Sequence, residues 1–518
     1  MATQTATGGM APASSDKAFF GHPRGLSTLF FSEMWERFSY YGMRGFLLLY
    51  MVADVENGGL GLSVPVGTAV YGTYTSMVYL LSLPGGWLAD RLLGPRRAVL
   101  YGGILIAAGH FSLAFPAEAT FYLGLLLVVF GTGLLKPNIS VIVGHLYGEK
   151  DIRRDSGFTI FYMGINLGAF MGPLITGYLV QNAGFRTWLS GMGMDPNSAW
   201  HWGFGAAGVG MTLGLIQYIA SGKLLGEAGL KPSPAKSPEA FAQLKRTATI
   251  WFGVFLASLV VLGFSLSSGS ITITPEQVTT GYRYVLIAVV VGFFWWLFEG
   301  PGNNWTREER GRLWVITVMF VAAAIFWSVF EQAGSTLNLF ATGSTDNRLF
   351  GLNFPSVWFQ SLNALFIVMF APVFAWLWVK MGSKQPASPA KFSFGLMGVG
   401  LGFLLLVPAA QLASSGGLVS PLWLTGVYLI HTWAELALSP VGLSSMTKLA
   451  PPRIVSLMMG VWFLGASVGN YLGGEMAGLY ASMPLQNLFG YVGLFGVVAG
   501  MIMLAFSGKL TKMMHGVR

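Results

Sequence analysis

Glu33-Met34-Trp35-Glu36-Arg37-Phe38-Ser39-Tyr40-Tyr41-Gly42-Met43-Arg44 lies inside an apolar run from about Leu26 to Val52. Such a run can cross a bilayer, which takes about 20 helical residues at 1.5 Å rise each. Yet it holds four ionised side chains. At 100° per residue, positions 33, 36, 37, 41 and 44 fall within an arc of roughly 140°, so both carboxylates, both guanidiniums and Tyr41 share one helix face. A charge at mid-bilayer costs at least about 2.5–3.5 kcal/mol, so four on one helix are tolerable only facing a wet cavity or each other. The default expectation is a solute or proton pathway; the other reading is a self-compensated Glu33/Glu36/Arg37 cluster that only packs helices.

The rest of the chain agrees with a membrane setting. Of 518 residues, 53% are hydrophobic and 10% charged, whereas soluble domains run to about 25% charged. Apolar runs mark fourteen spans, at about 26–52, 66–89, 98–115, 121–147, 158–180, 200–221, 248–268, 282–298, 312–341, 354–380, 393–411, 420–448, 455–480 and 487–507. Basic residues fall in alternate loops: Arg91, Arg96, Arg97; Lys150, Arg153, Arg154; Lys223 to Arg246; Arg307, Arg310, Arg312; Lys380, Lys384, Lys391; Lys448, Arg453; and Lys509, Lys512, Arg518. The other loops hold Arg186, Arg283 and Arg348. The positive-inside rule then puts both termini in the cytoplasm. The formal charge of +9 is an orientation signal, not a nucleic-acid one.

This parse predicts an all-α polytopic membrane protein of the major facilitator type, with two six-helix bundles and two inserted helices. Its expected parts are a disordered cytoplasmic tail (1–22), an N-terminal bundle (23–222), a linker with the inserted pair (223–305), a C-terminal bundle (306–508) and a short tail (509–518). The inserted pair has ionisable residues only near its ends and is expected to be peripheral to transport. Cysteine is absent, which excludes disulfides and thiolate metal sites. With six scattered histidines, short loops and no nucleophile–base constellation, an enzyme is not expected, and neither is a metal or cofactor.

Motifs follow in chain order. Gly86, Asp90, Arg91, Gly94 and Arg96 resemble the major facilitator loop motif, in which the aspartate faces a helix N-terminus and the arginines pair with acids to hold the cytoplasmic side shut. Lys136 sits about ten residues, or roughly 15 Å, inside span four, too deep to snorkel, and needs a carboxylate. The adjacent Pro137 is expected to interrupt the helix. Tyr162 and Asn166 share a face of span five, where Gly164, Gly168 and Gly172 form a small-residue seam. The run Gly168-x-x-x-Gly172-Pro173 also has a look of an antiporter motif. Gln360 and Asn363 share a face of span ten, and Glu331 and Glu435 are deep single carboxylates in spans nine and twelve.

Taken together, Glu33-x-x-Glu36-Arg37-Phe38-x-Tyr40-Tyr41-Gly42, Gly133-x-x-Lys136-Pro137, Phe161-Tyr162-x-x-Ile165-Asn166-x-Gly168, Phe326-Trp327-x-x-Phe330-Glu331-Gln332 and Glu435 with Ser439-Pro440 resemble the proton-coupled oligopeptide transporter family, whose bacterial members import di- and tripeptides. The resemblance implies that Glu33, Glu36 and Arg37 carry proton coupling. It implies a cytoplasm-side gate between Lys136 and Glu435 and an outer gate between Arg44 and Glu331. It further implies a peptide site of Arg37, Tyr41, Tyr79, Lys136, Tyr162, Asn166, Trp327, Phe330, Glu331, Gln360, Asn363, Glu435, Ser439 and Trp462. Where mammalian relatives carry a histidine in span two, this chain has Gly72, which leaves coupling to the carboxylates. The expected partners are di- and tripeptides, protons and the lipid of the bacterial inner membrane; oligomeric state stays open.

Four deep acids (Glu33, Glu36, Glu331, Glu435) against three deep bases (Arg37, Arg44, Lys136) leave one acid unmatched, which suits one coupling proton. The nearest rivals are a proton-linked carrier of another solute, such as nitrate, or a drug exporter. A sensing receptor without flux is also compatible.

Overall fold

The computed structural model describes residues 16–148, 151–233, 237–301 and 303–517. Expectations for residues 1–15 of the tail and for Lys150, Lys236 and Arg518 lie outside the described residues. The chain forms α1 (Gly25–Val52), α2 (Val64–Leu80), α3 (Ser82–Leu88), α4 (Pro95–Leu113), α5 (Glu118–His145), α6 (Arg154–Gln181), α7 (Ala183–Gly191), α8 (Ala199–Ala220), α9 (Pro238–Ser267) and α10 (Pro275–Glu299). After these come α11 (Arg307–Phe330), α12 (Thr336–Gly343), α13 (Gln360–Met381), α14 (Ser388–Ser414), α15 (Leu422–Leu449), α16 (Val455–Gly478) and α17 (Leu485–Met513). A two-residue antiparallel pair, β1 (Arg348–Leu349) with β2 (Leu352–Asn353), decorates the α12–α13 loop.

Helices occupy all fourteen expected stretches, as they must where hydrocarbon offers the backbone no partner outside its own segment. Their starts are locally specified: Thr306 and Glu309 exchange capping-box bonds of 3.2 and 2.9 Å at α11, and Thr274 with Gln277 does the same at α10. Among the described residues, nine helical segments are long and apolar enough to cross a membrane by length and composition. Helix α1 is not one of them, because every 18-residue stretch of it carries at least three of Glu33, Glu36, Arg37 and Arg44.

Four local expectations change. The second span is broken at Leu81 into α2 and α3, and a π-turn over Ala89–Leu93 follows. The ninth is broken by a 3-10 turn over Glu331–Gly334. Pro137 does not interrupt α5, which runs through it. The carbonyl it leaves unpaired, Gly133 C=O one turn back, lies against the backbone of Gly85, where a Cβ would sit 2.1 Å from that oxygen. The tail expected to be disordered through residue 22 is docked from Asp16 onward. The Asp16 carboxylate meets Arg24 at 3.1 Å, His22 Nδ1 and Tyr147 OH are 2.9 Å apart, and Arg153 donates to the Gly21 carbonyl at 3.3 Å.

The hydrophobic interior is divided in sequence. One buried cluster draws on residues from Tyr282 to Met514, and two others on residues between Leu26 and Leu225, joined only by Val357 from the later part. Helix α1 lies between α6 and α8, and α14 between α15 and α17. The two parts meet along α2 with α16 and along α6 with α13. Helix α9 presents exposed side chains along its length, whereas α10 lies on α2.

Candidate functional site

The α1–α6 seam positions the first charged cluster. A Cβ at Gly168 would stand 2.1 Å from the Met34 carbonyl oxygen and 2.9 Å from Arg37 Cβ, and one at Gly172 would stand 2.5 Å from the Phe38 carbonyl. Only glycine permits so close an approach, and it fixes the stem of Arg37 against α6. Helix packing thus accounts for the glycines of Gly168-x-x-x-Gly172.

Arg37 Nε lies 3.1 Å from Glu33 Oε1 and is also paired with Glu36 Oε2. All three side chains are buried, Glu36 completely. One guanidinium thus serves two carboxylates, which leaves this group with one excess negative charge. Glu33 Oε2, Glu36 Oε1 and Arg37 Nη2 have no hydrogen-bond partner among the described residues, so the cluster retains capacity to bind a proton or a polar ligand. Tyr40 and Tyr41 stack beside it, with Arg37 Cζ 5.4 and 6.0 Å from their ring centroids.

Two turns further along α1, Arg44 Nη2 pairs with Glu331 Oε2 across the two parts of the chain. Its Nε donates to Tyr71 OH at 2.7 Å. The 3-10 turn that begins at Glu331 turns the chain here and brings Gly334 against the Tyr71 hydroxyl. Tyr71 was missed by the sequence reading because nothing local marks it; its role exists only once α2 crosses the Glu331 turn.

Lys136 is half-buried, with Nζ 3.9 Å from the centroid of the Tyr79 ring. Glu435 accepts from Asn363 Nδ2 at 2.9 Å, and the same amide reaches Thr432 Oγ1 at 3.1 Å. Lys136 and Glu435 therefore form no ion pair with each other, and no other ion pair involves them among the described residues. The expected gate between them is not closed in this conformation: the cation rests on a tyrosine face and the carboxylate on an amide. The aromatic residues Trp327, Phe330 and Trp462 pack together, with Trp327 5.4 Å from Phe330 and 6.4 Å from Trp462 between centroids. Trp327 Nε1 and Ser439 Oγ are buried without a hydrogen-bond partner among the described residues.

The amides differ from expectation. Gln360 donates to the Ala333 carbonyl, which the 3-10 turn presents. Asn166 Nδ2 donates to the Tyr162 backbone carbonyl at 2.9 Å, and Tyr162 itself is exposed. Gln360 and Asn166 each keep a second donor for a ligand, whereas the Asn363 amide spends both of its donors, on Thr432 and Glu435.

The loop motif behaves differently too. Arg96 Nε donates to the Ala228 carbonyl at 2.6 Å and its Nη2 to that of Gly226, so it binds backbone rather than an acid. Asp90 and Arg91 are exposed with no ion pair among the described residues. Gly94 takes φ +78° and Gly86 faces Pro137. Among the described residues, this motif forms no ion pair, whereas Arg44 and Glu331 do.

Gly72 explains itself. A Cβ there would stand 2.7 Å from Gly474 Cα and 3.1 Å from the Asn470 carbonyl. Helices α2 and α16 touch backbone to backbone, so a histidine has no room at this position.

Comparison with known proteins bears directly on this arrangement. A family model described as the POT family matches residues 96–495. The chain is 43% identical to a peptide transporter of Yersinia enterocolitica, over 91% of each chain. It is 37% identical to a di-/tripeptide transporter of Lactococcus lactis, over 97% of this chain and 99% of that one. A crystal structure of a POT peptide transporter in complex with sulfate superposes with a TM-score of 0.86 at 42% identity, covering 98% of both chains. The all-α architecture is therefore that of the POT transporters, and the chain is a membrane protein that belongs to the POT family, a family of peptide transporters and not of enzymes.

Proposed function

We propose that the chain is a proton-coupled symporter that imports di- and tripeptides by alternating access across a bacterial inner membrane, with both termini cytoplasmic. The observation that carries this reading is the pair of deep, opposite and mutually unpaired charges, Lys136 on α5 and Glu435 on α15. A zwitterionic peptide supplies a carboxylate for the first and an ammonium for the second, separated by at most roughly 3.5 Å per residue. Binding would replace the tyrosine face and the amide with full charges and draw the two halves, 23–222 and 306–508, together around the cargo. Trp327, Phe330 and Trp462 offer apolar surface without fixed polar demands, which suits varied side chains.

Protons enter through charge balance. With Arg37 shared by Glu33 and Glu36, and Arg44 matched to Glu331, the surplus acid lies beside Arg37. A proton there neutralises the cluster and allows the bundle to close in low dielectric. The membrane potential adds about 2.3 kcal/mol per charge per 100 mV to inward movement. No cofactor is needed beyond the coupling proton.

The test is uptake of radiolabelled di-alanine into liposomes under an imposed pH gradient. Accumulation above equilibrium that collapses with the gradient is expected. Single Glu33→Gln and Glu36→Gln variants should lose that accumulation while retaining exchange. Uptake inhibited by nitrate and indifferent to dipeptides would overturn the reading.

A further inference from the structure

The inserted helix α10 is not a bystander at the seam between the two parts of the chain. Ser76 of α2 and Ser467 of α16 exchange bonds across it: Ser76 Oγ donates to the Ser467 carbonyl at 2.7 Å, and Ser467 Oγ donates to the Ser76 carbonyl at 2.9 Å. The two hydroxyl oxygens are themselves 2.8 Å apart. The Tyr282 hydroxyl of α10 lies 2.6 Å from Ser76 Oγ and 3.4 Å from Ser467 Oγ, so it joins the pair. One residue on, Arg283 Nε donates to Tyr471 OH at 2.8 Å and its Nη2 reaches both Glu475 oxygens at 3.0 and 2.9 Å. Tyr471 closes the set with a 2.7 Å bond to Glu475.

These bonds are unequal in direction. Arg283 ties α10 only to α16, through two residues one turn apart. Tyr282 makes its shorter bond to α2. Helix α10 therefore packs on α2 and is tied to α16 through Arg283, so it bridges the two sides of the seam, with the Tyr282 phenol buried between them. The grip lies beside the Gly72–Gly474 contact, and Tyr71, which serves the Arg44–Glu331 pair, is five residues away on the same helix. Opening the Arg44–Glu331 face requires α2 and α16 to separate there, and the Tyr282–Ser76 bond must break when they do. In hydrocarbon that bond has no water to replace it.

We propose that Tyr282 and Arg283 are positioning residues of the transport cycle. They make α10 a latch that spans α2 and α16 and holds the Arg44–Glu331 face closed. The proposal rests on the alternating-access reading for its consequence, but its test does not need a substrate.

The chain has no native cysteine, so Glu56→Cys and Phe350→Cys place one spin-label pair on two exposed loops of that face without further engineering. Distance distributions by pulsed electron resonance are compared with and without Tyr282→Phe, in the purified full-length protein in nanodiscs. The population at longer distance should rise about fivefold, the size expected for one lost hydrogen bond. Arg283→Gln should act in the same direction by freeing α10 from α16. Tyr284→Phe, on the exposed face of α10, should leave the distribution unchanged. Tyr282→Phe is conservative enough to fold if Arg283→Gln is not, and a melting curve checks both.

An unchanged distribution in folded Tyr282→Phe overturns the latch, whatever the transport result. A shifted distribution in a protein that fails to take up peptide supports the latch and removes the peptide reading instead. A shift of equal size in Tyr284→Phe also overturns it, because the effect would then be general to α10.

Discussion

Lys136 Nζ stands 3.9 Å above the Tyr79 ring, not beside a carboxylate. The contact parks a deep cation on the one nearby surface that attracts it without neutralising it, which keeps it available for an incoming anion. Tyr79→Phe preserves the ring face and should transport nearly as the parent does. Tyr79→Ala removes a contact that peptide binding must displace and should lower the Km for di-alanine roughly 2- to 30-fold, the span of about 0.5–2 kcal/mol expected of a cation–π contact. Equal Km values for the two variants would show that the ring does not hold the lysine.

The Arg44–Glu331 pair is buried on both sides. Glu331→Ala leaves a buried guanidinium with the Tyr71 hydroxyl and the Tyr40 and Tyr41 rings but no counter-charge, and removal of one member of such a pair costs about 3–5 kcal/mol. The expected result is a lower melting temperature together with faster labelling of a cysteine placed on that face. Unchanged melting would mean that the pair is solvated and weak.

Gly72 and Gly474 permit no side chain between them. Gly72→Ala should destabilise the protein by about 1–3 kcal/mol through forced separation of α2 and α16, and Gly72→His should do more damage while adding no proton relay. Gly343→Ala, with nothing within 4 Å of its added methyl, is the control. A melting temperature that falls for Gly72→Ala but not for Gly343→Ala checks the contact.

Docking of the tail should depend on pH. Burial first, and the charge of Arg153 second, lower the His22 pKa below the usual imidazole value, with Asp151 opposing. Tyr147 OH and Ser156 Oγ are its other polar neighbours. Asp151 is itself held down to about 2 by Arg153, so it stays charged. The docked tail binds fewer protons than the free one, so docking is complete above the usual imidazole pKa of 6.5. It weakens as pH falls through that value, until the lowered docked pKa is reached. Hydrogen exchange of residues 16–24, corrected for intrinsic rate, should be faster at about pH 5.5 than at about pH 8. In His22→Gln that difference should vanish.

The sequence by itself determined which stretches are helical, which side chains share a face, and that Glu33, Glu36, Arg37, Arg44, Lys136, Glu331 and Glu435 lie deep. The reason is that helical periodicity and the cost of an unpaired backbone or charge in hydrocarbon are local rules, readable one segment at a time. Breaks were less legible: Pro84, whose missing N–H frees the Leu80 carbonyl, accompanies the break at Leu81, but the Glu331–Gly334 turn carries no proline, and α5 passes through a proline that reads as a stop. Only the tertiary structure decided partnership. Arg44 found Glu331 and Lys136 did not meet Glu435, although both pairings are equally compatible with the charges along the chain. Ser76 meets Ser467, and Gly72 meets Gly474, across about four hundred residues, and α10 joins them through Tyr282. Which buried group satisfies which depends on the relative placement of whole helices, and that is settled by packing between segments, which no single segment encodes.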